Sequence, residues 1–182
     1  MDQFSMRAIV MVVKPKFIPV RFPEDHETVI DFLTSNDWPF HGISRLDRTQ
    51  ATNVQIAGPD TASFWVESDG DRVGLVRAFD LDDLVDGSPL FDIRIATTHR
   101  NCGMGRFAVN SLTDYLFDSQ PILHRIEATT RHDNDPMKAV LHRCGYRQEG
   151  RLVQAWRSSN GERFDTLVCA VLRSEWVQSR SR

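Results

Sequence analysis

The chain has 182 residues, 41% hydrophobic and 26% charged, with 22 Lys and Arg against 25 Asp and Glu for a net charge of −3. That length suits one domain able to bury its own core, and the composition excludes wholesale disorder. The negative balance argues against a general nucleic-acid or anionic-membrane binder, which needs a positive excess. The three cysteines, Cys102, Cys144 and Cys169, form no CxxC pair. They point away from a disulfide framework or a structural zinc site and towards a reducing cytoplasm. The apolar run at residues 8–13 is too short for a bilayer span or a signal-peptide core. With no low-complexity tract or repeat, residues 1–182 read as one domain, residues 1–17 forming an N-terminal extension or an extra strand.

Residues 18–22 alternate and predict a strand. Pro23, Glu24 and Asp25 open an amphipathic helix that carries Val29, Phe32 and Leu33 and ends near Ser35. Trp38-Pro39-Phe40-His41-Gly42 is a loop, with a short helix expected around residues 49–56. Strands at 63–67 and 72–79 flank Asp69-Gly70, a strong hairpin turn. An acidic loop at 80–88 leads to a strand at 90–97. The clearest helix is 104–117, where Met104, Phe107, Ala108, Leu112, Tyr115 and Leu116 share a face. A strand at 122–130 follows. Asp135 reads as an N-cap with Pro136 at the first helical position, and Met137, Val140 and Leu141 line a helix that Gly145 stops. Strands at 150–157 and 164–172 make a last hairpin around Asn160-Gly161. The order β-α-(α)-β-β-β-α-β-α-β-β predicts an α/β (α+β) fold, a mixed sheet with helices on its faces.

The segment richest in chemistry is residues 93–106, IRIATTHRNCGMGR. A strand ends, and Gly103 and Gly105 stand where a helix begins. Glycine lets a ligand approach the backbone, and a helix start offers unpaired N–H groups at its positive end. Together these could cradle a pyrophosphate. A Rossmann site fits poorly, since Ala108 occupies the third glycine position of GxGxxG, and GxxxxGK[ST] is absent.

Several motifs then agree in order. Arg100-Asn101-Cys102-Gly103-Met104-Gly105 resembles the R/Q-x-x-G-x-G/A loop of the GNAT N-acetyltransferases. Asp92, on the preceding strand, stands where many members carry a Glu. His124-Arg125-Ile126-Glu127-Ala128 is similar to the strand after the loop helix, and Asn134 matches an Asn that contacts CoA. Cys144-Gly145-Tyr146-Arg147-Gln148-Glu149-Gly150 resembles the family's GFxxEG stretch, and the ending through Leu172-Arg173-Ser174-Glu175-Trp176 resembles the RimJ/RimL-type subgroup. The likeness is strongest over residues 91–176.

The resemblance implies a GNAT fold with a central mixed, mostly antiparallel sheet of six to seven strands flanked by helices on both faces. It implies direct attack of a primary amine on acetyl-CoA, with no metal. The implied CoA-binding residues are the strand end Ile95, Ala96 and Thr97, the loop Arg100, Asn101, Cys102, Gly103, Met104, Gly105 and Arg106, and Asn134. The acceptor would be a small-molecule or peptide amine, with no nucleic acid or membrane partner, and the protein a cytoplasmic monomer or homodimer.

Asp92 is the candidate general base. It interrupts an apolar strand and shares a face with Arg94, whose charge would lower its basicity. Leu141 replaces the family's thiolate-protonating Tyr, leaving Tyr146, with His142 beside it, as the candidate acid. Arg77 interrupts another apolar strand and could meet Asp92 and Arg94 at the cleft, where it would bind an acceptor carboxylate. Trp38 and His41 are candidate acceptor-pocket residues. His99, Arg100, Arg106, Arg131 and His132 would rim the CoA channel, and Cys102 would be sensitive to oxidation. Two alternatives are an aminoglycoside-type N-acetyltransferase using the acidic loop Asp80, Asp82, Asp83 and Asp86, and a non-catalytic acyl-CoA-binding module.

Overall fold

The computed structural model describes residues 14–82, 84–85 and 87–181; the apolar run at 8–13 and the loop acids Asp83 and Asp86 lie outside the described residues. The elements run β1 (Lys16–Pro19), α1 (His26–Thr34), α2 (Arg48–Thr52), β2 (Ala62–Ser68), β3 (Asp71–Phe79), β4 (Leu90–Ile95), α3 (Met104–Ser119), β5 (Arg125–Arg131), α4 (Asp135–Arg143), β6 (Arg147–Arg157), β7 (Arg163–Leu172) and α5 (Arg173–Arg180). A single 3₁₀ turn, Thr97–His99, joins β4 to the loop before α3.

The strands form two sheets, ordered β1-β2-β3-β4 and β5-β7-β6, each antiparallel throughout. The crossover β4-α3-β5 leads from one sheet to the other. No ladder joins β4 to β5 among the described residues; the Glu127 N–H donates to the Pro89 carbonyl at 3.4 Å, just before β4 begins. The expected central sheet is thus divided at this point.

Local chemistry explains the elements. Asp69 and Gly70 both have positive φ, 54° and 89°, as a two-residue type I′ hairpin requires. Asp25 caps nothing with its side chain. Its buried carboxylate instead accepts from the Arg21 N–H (2.8 Å) and the Trp65 indole (3.2 Å) and pairs with Arg72 (2.7 Å), fixing the start of α1 to β2 and β3. Asn134, not Asp135, caps α4, because its side-chain oxygen accepts from the Met137 N–H at 3.2 Å; Asp135 is the first helical residue and Pro136 the second. The first strand lies two residues earlier than its alternation suggests, since Lys16 to Pro19 pair with Glu67 to Phe64.

Period-two alternation lets β2 serve two cores. Phe64 and Val66 face α3 and α4, where Ala108, Val109, Leu112, Leu116 and Leu141 also meet Ile126, Ala128 and Val171 of the second sheet. Trp65 faces the other way, against Val29, Ile30 and Leu33 of α1, with Trp38 and Leu75. Each leucine fully buried in this way contributes about 2 kcal/mol, so α3, through Leu112 and Leu116, ties the two sheets together. Tyr115, expected on the core face of α3, is exposed and meets the edge of Phe64. The sequence reading missed α5. Its first residue, Arg173, donates to the carbonyls of Phe117, Gln120 and Leu123, satisfying acceptors at the C-terminal end of α3, where a cation is favoured. Among the described residues, no helix is long and apolar enough to cross a membrane.

Candidate active site

The β3–β4 register sets Arg77 directly opposite Asp92. Phe91, Ile93 and Ile95 pack against the α3 core, so Asp92 and Arg94 project to the α1 side, as alternation predicts. There the predicted trio meets. Asp92 Oδ2 accepts from Arg94 Nε at 3.0 Å and Arg77 Nη2 at 3.3 Å. Its other oxygen, Oδ1, binds His41 Nε2 at 2.8 Å, a partner that sequence reasoning did not give it. Side-chain exposures are 16% for Asp92, 23% for His41, 18% for Arg77 and 9% for Arg94.

These contacts decide the chemistry of Asp92. Burial alone would push its carboxyl up, but the His41 hydrogen bond and the charges of Arg94 and Arg77 outweigh burial and hold it well below the usual carboxylate range. So strongly stabilised a carboxylate is a poor proton acceptor, which corrects its assignment as the base. An ionised carboxylate only accepts hydrogen bonds, so Nε2 of a neutral His41 carries the proton and Nδ1 keeps the lone pair. His41 Nδ1 is shielded from solvent and has no partner among the described residues. The arrangement is a potential base with an orienting carboxylate behind it.

The turn that carries His41 spans both sheets. Besides the His41–Asp92 contact to β4, the Pro39 carbonyl accepts from Arg131 Nη1 on β5 at 3.4 Å. Arg131 is buried, forks onto Asp133 (2.9 and 2.6 Å) and stacks on Phe164 and Phe40. It belongs to this turn rather than to a phosphate rim.

Several expected contacts have other roles. Trp38 is 1% exposed, its indole N–H donates to the Leu33 carbonyl, and Arg94 and Arg100 lie over its ring. It is a core plug, not an acceptor-pocket wall. Arg100 turns inward, donating to the carbonyls of Ile95 and Asp37, and does not face a phosphate. At the strand end, the Ala96 N–H bonds to Val73, the Thr97 N–H to the Asn36 side chain, and the carbonyls of Ile95 and Ala96 accept from Arg100 and His99. These backbone groups, expected to meet CoA, are largely used within the protein. Asn36 gave no sequence signal, because its partner lies 61 positions away. Asn134 likewise spends its amide on the α4 cap and on Thr130 Oγ1 at 3.0 Å.

Tyr146 is also corrected. It is buried, its hydroxyl bonds to Thr113 Oγ1 at 2.9 Å, and burial pushes its pKa up, so it is a packing residue rather than a proton donor. Leu141 is buried in the same core, and His142 is exposed.

The phosphate-loop reading keeps its geometry at the helix start. No side chain caps α3, so its first-turn N–H groups, from Met104, Gly105 and Arg106, have no capping side chain. Gly103 is exposed with φ of 93°, and a Cβ placed on it would meet no atom within 4 Å. Asn101, Cys102 and Arg106 are exposed around it. Gly105 instead faces inward, where a Cβ would touch Val140 of α4 at 3.4 Å. Arg106 also lines a groove of about 470 Å³ between α3, the end of α4 and α5, with Asn110, His142, Arg143 and Glu175. Burial pushes the Cys144 thiol in that groove up to about 11, which keeps it protonated near neutrality.

The sequence model for the Acetyltransferase (GNAT) family matches residues 29–146. The chain belongs to the GNAT acetyltransferase family. No curated protein gives a significant match. Among solved structures, spermidine N-acetyltransferase from Vibrio cholerae, in complex with CoA and spermine, is similar at 21% identity and a TM-score of 0.71, over 90% of this chain and 98% of that one. RimJ of Mycobacterium smegmatis, in complex with CoA-disulfide, is similar at 24% identity and a TM-score of 0.69, over 88% and 83%. A GNAT-family acetyltransferase from Streptococcus pneumoniae gives 18% identity and a TM-score of 0.70, over 87% and 99%. The divided sheet and the uncapped start of α3 are thus elements of a GNAT fold.

Proposed function

We propose that the protein, a single domain working in a reducing cytoplasm, transfers the acetyl group of acetyl-CoA to a primary amine. The observation that carries this is a juxtaposition around β4. The uncapped helix start with the open Gly103 follows the strand, and the His41–Asp92 pair lies on its α1 face. The pyrophosphate binds against the N–H groups of residues 102–106, as a helix start favours. The amine nitrogen attacks the thioester carbon, the C–S bond breaks, and CoA departs as a thiolate. His41 Nδ1 takes the amine proton, and Asp92 is a positioning residue that fixes the ring and its tautomer. Because Nδ1 is shielded, an amine reaches it only with some movement of residues 38–42. Leu141 supplies no proton, so the thiolate takes one from water. The spermine-bound neighbour supports small amines as an acceptor class, and the RimJ/RimL-like ending supports protein N-termini.

Release of free thiol from acetyl-CoA across a panel of amines tests this reading. Amine-dependent turnover is expected. Acetyl-CoA binding with no turnover on any amine would leave a non-catalytic acyl-CoA module instead. For the cofactor site, Gly103→Val should weaken acetyl-CoA binding by about tenfold or more, because the added side chain occupies the phosphate's approach. The left-handed φ also costs the variant roughly 1–2 kcal/mol of stability, so folding is checked by circular dichroism. Unchanged affinity by calorimetry in a folded variant would refute the placement.

A further inference from the structure

We propose that the acceptor carries a carboxylate close to its amine, and that Arg77 and Arg94 hold it. This rests on the N-acetyltransferase reading above and narrows its substrate class.

The argument is one of charge and unmet hydrogen bonds. Four side chains are in mutual contact through Asp92: His41, Arg77 and Arg94 all point at this one carboxylate. Among the described residues, no other carboxylate lies within 4 Å of either guanidinium, while the neighbouring acids have their own cations: Asp37 pairs with Arg45, Asp133 with Arg131 and Asp165 with Arg151. With His41 neutral, the cluster holds two positive charges against one negative, mostly out of water. Uncompensated buried charge is costly and recruits a counter-ion where one can enter.

Arg77 also donates through Nη1 to the Gln55 carbonyl, but each guanidinium keeps one nitrogen unfilled. Arg94 is more than nine-tenths buried, yet its Nη1 has no partner among the described residues, and neither does Nε of Arg77. A buried charged donor left unpaired costs more than a neutral one. Guanidinium forks suit carboxylates. One carboxylate cancels the excess of one, whereas a phosphate group, nearly −2 at neutral pH, would reverse it. The same excess favours the deprotonated form of an amine arriving at His41 and repels an acceptor with several ammonium groups. The site therefore differs in charge logic from one that takes a polyamine.

Two sources share this chemistry: a free amino acid, and a peptide whose first residue is Asp or Glu. The test measures kcat/KM for glycine and glutamate against their α-amides, for tetrapeptides starting with Asp or Glu against those starting with Asn or Gln, and for spermidine. Each is run with wild type, Arg77→Gln and Arg77→Lys. The readout is the acid-to-amide ratio within each protein, so a general loss of activity cancels. The ratio should be about tenfold or more in wild type, collapse towards unity in Arg77→Gln and partly recover in Arg77→Lys. Preference among the free acids identifies an amino acid as the acceptor, and preference among the peptides identifies an acidic N-terminus. Equal use of acid and amide, a ratio unchanged in Arg77→Gln, or better turnover of spermidine would overturn the inference while leaving acetyl transfer standing. Failure of every amine, with acetyl-CoA still bound in calorimetry, would overturn both.

Discussion

His41→Gln is expected to lower kcat by roughly 10²–10⁴-fold with acetyl-CoA affinity near that of the wild type. The glutamine amide can still donate to Asp92 Oδ1, so the 2.8 Å contact has a substitute and the turn at residues 38–42 keeps its tether. What is lost is the second ring nitrogen, the one basic atom of this cluster without a partner among the described residues. Thiol-release kinetics, with calorimetry for acetyl-CoA, give both readings. Normal turnover in the variant would return the proton to a water molecule.

Asp92→Asn should be nearly as damaging to activity and more damaging to stability. An asparagine leaves Arg77 and Arg94 without a counter-charge, and breaking a buried pair in this way costs about 3–5 kcal/mol. It can also turn its NH₂ towards His41, which reverses the tautomer and points the lone pair away from the acceptor. A fall in kcat of roughly 10²–10⁴-fold follows from the wrong tautomer. The pH dependence has a definite sign. The folded-state pKa of Asp92 is depressed, so its contribution is fully present above the unfolded value of about 3.9. It is lost as the pH falls below that towards the depressed folded value. Denaturant midpoints of wild type and Asp92→Asn should therefore differ most near neutrality and converge in acid. Nitrogen NMR of the His41 ring separates positioning from a purely structural role: the proton is on Nε2 in wild type, and Asp92→Glu should restore that state in part. A gap in stability that does not change with pH would mean that Asp92 is not the ionised centre of the cluster.

Local patterns in the sequence carried much of this fold. Alternation alone put Asp92 and Arg94 on one face and Arg77 within reach, because period-two geometry fixes the faces of β3 and β4, while the Asp-Gly turn sets the register of β2 on β3. The helix start at Gly103 was legible for the same reason, since glycine at a strand-to-helix junction has a backbone cause. What the sequence hid was long-range. His41 and Asp92 are 51 positions apart, and nothing in a Pro/Gly loop says which strand it will meet. Arg100 carried a motif position, but its guanidinium is drawn to carbonyls of β4 and the α1–α2 connection. Tyr146 and Trp38 are amphipathic residues whose polar ends found partners inside the core, at Thr113 and Leu33, so burial rather than the cleft claimed them. Helix α5 was missed because its sequence is mostly polar and its stability comes from Arg173 and from the Trp176 indole bonded to Asp114 on α3.

The hairpin of β6 and β7 offers an engineering handle. Its register shifts between Leu152 and Trp156, and most β6 side chains face solvent. At its tip, Ser158, Asn160, Gly161 and Glu162 bond only to one another among the described residues. A segment whose hydrogen bonds are all internal can be opened without unmaking distant contacts. An epitope, a dye-bearing cysteine or a surface-attachment peptide inserted between Asn160 and Gly161 would thus enter a turn held by its own bonds.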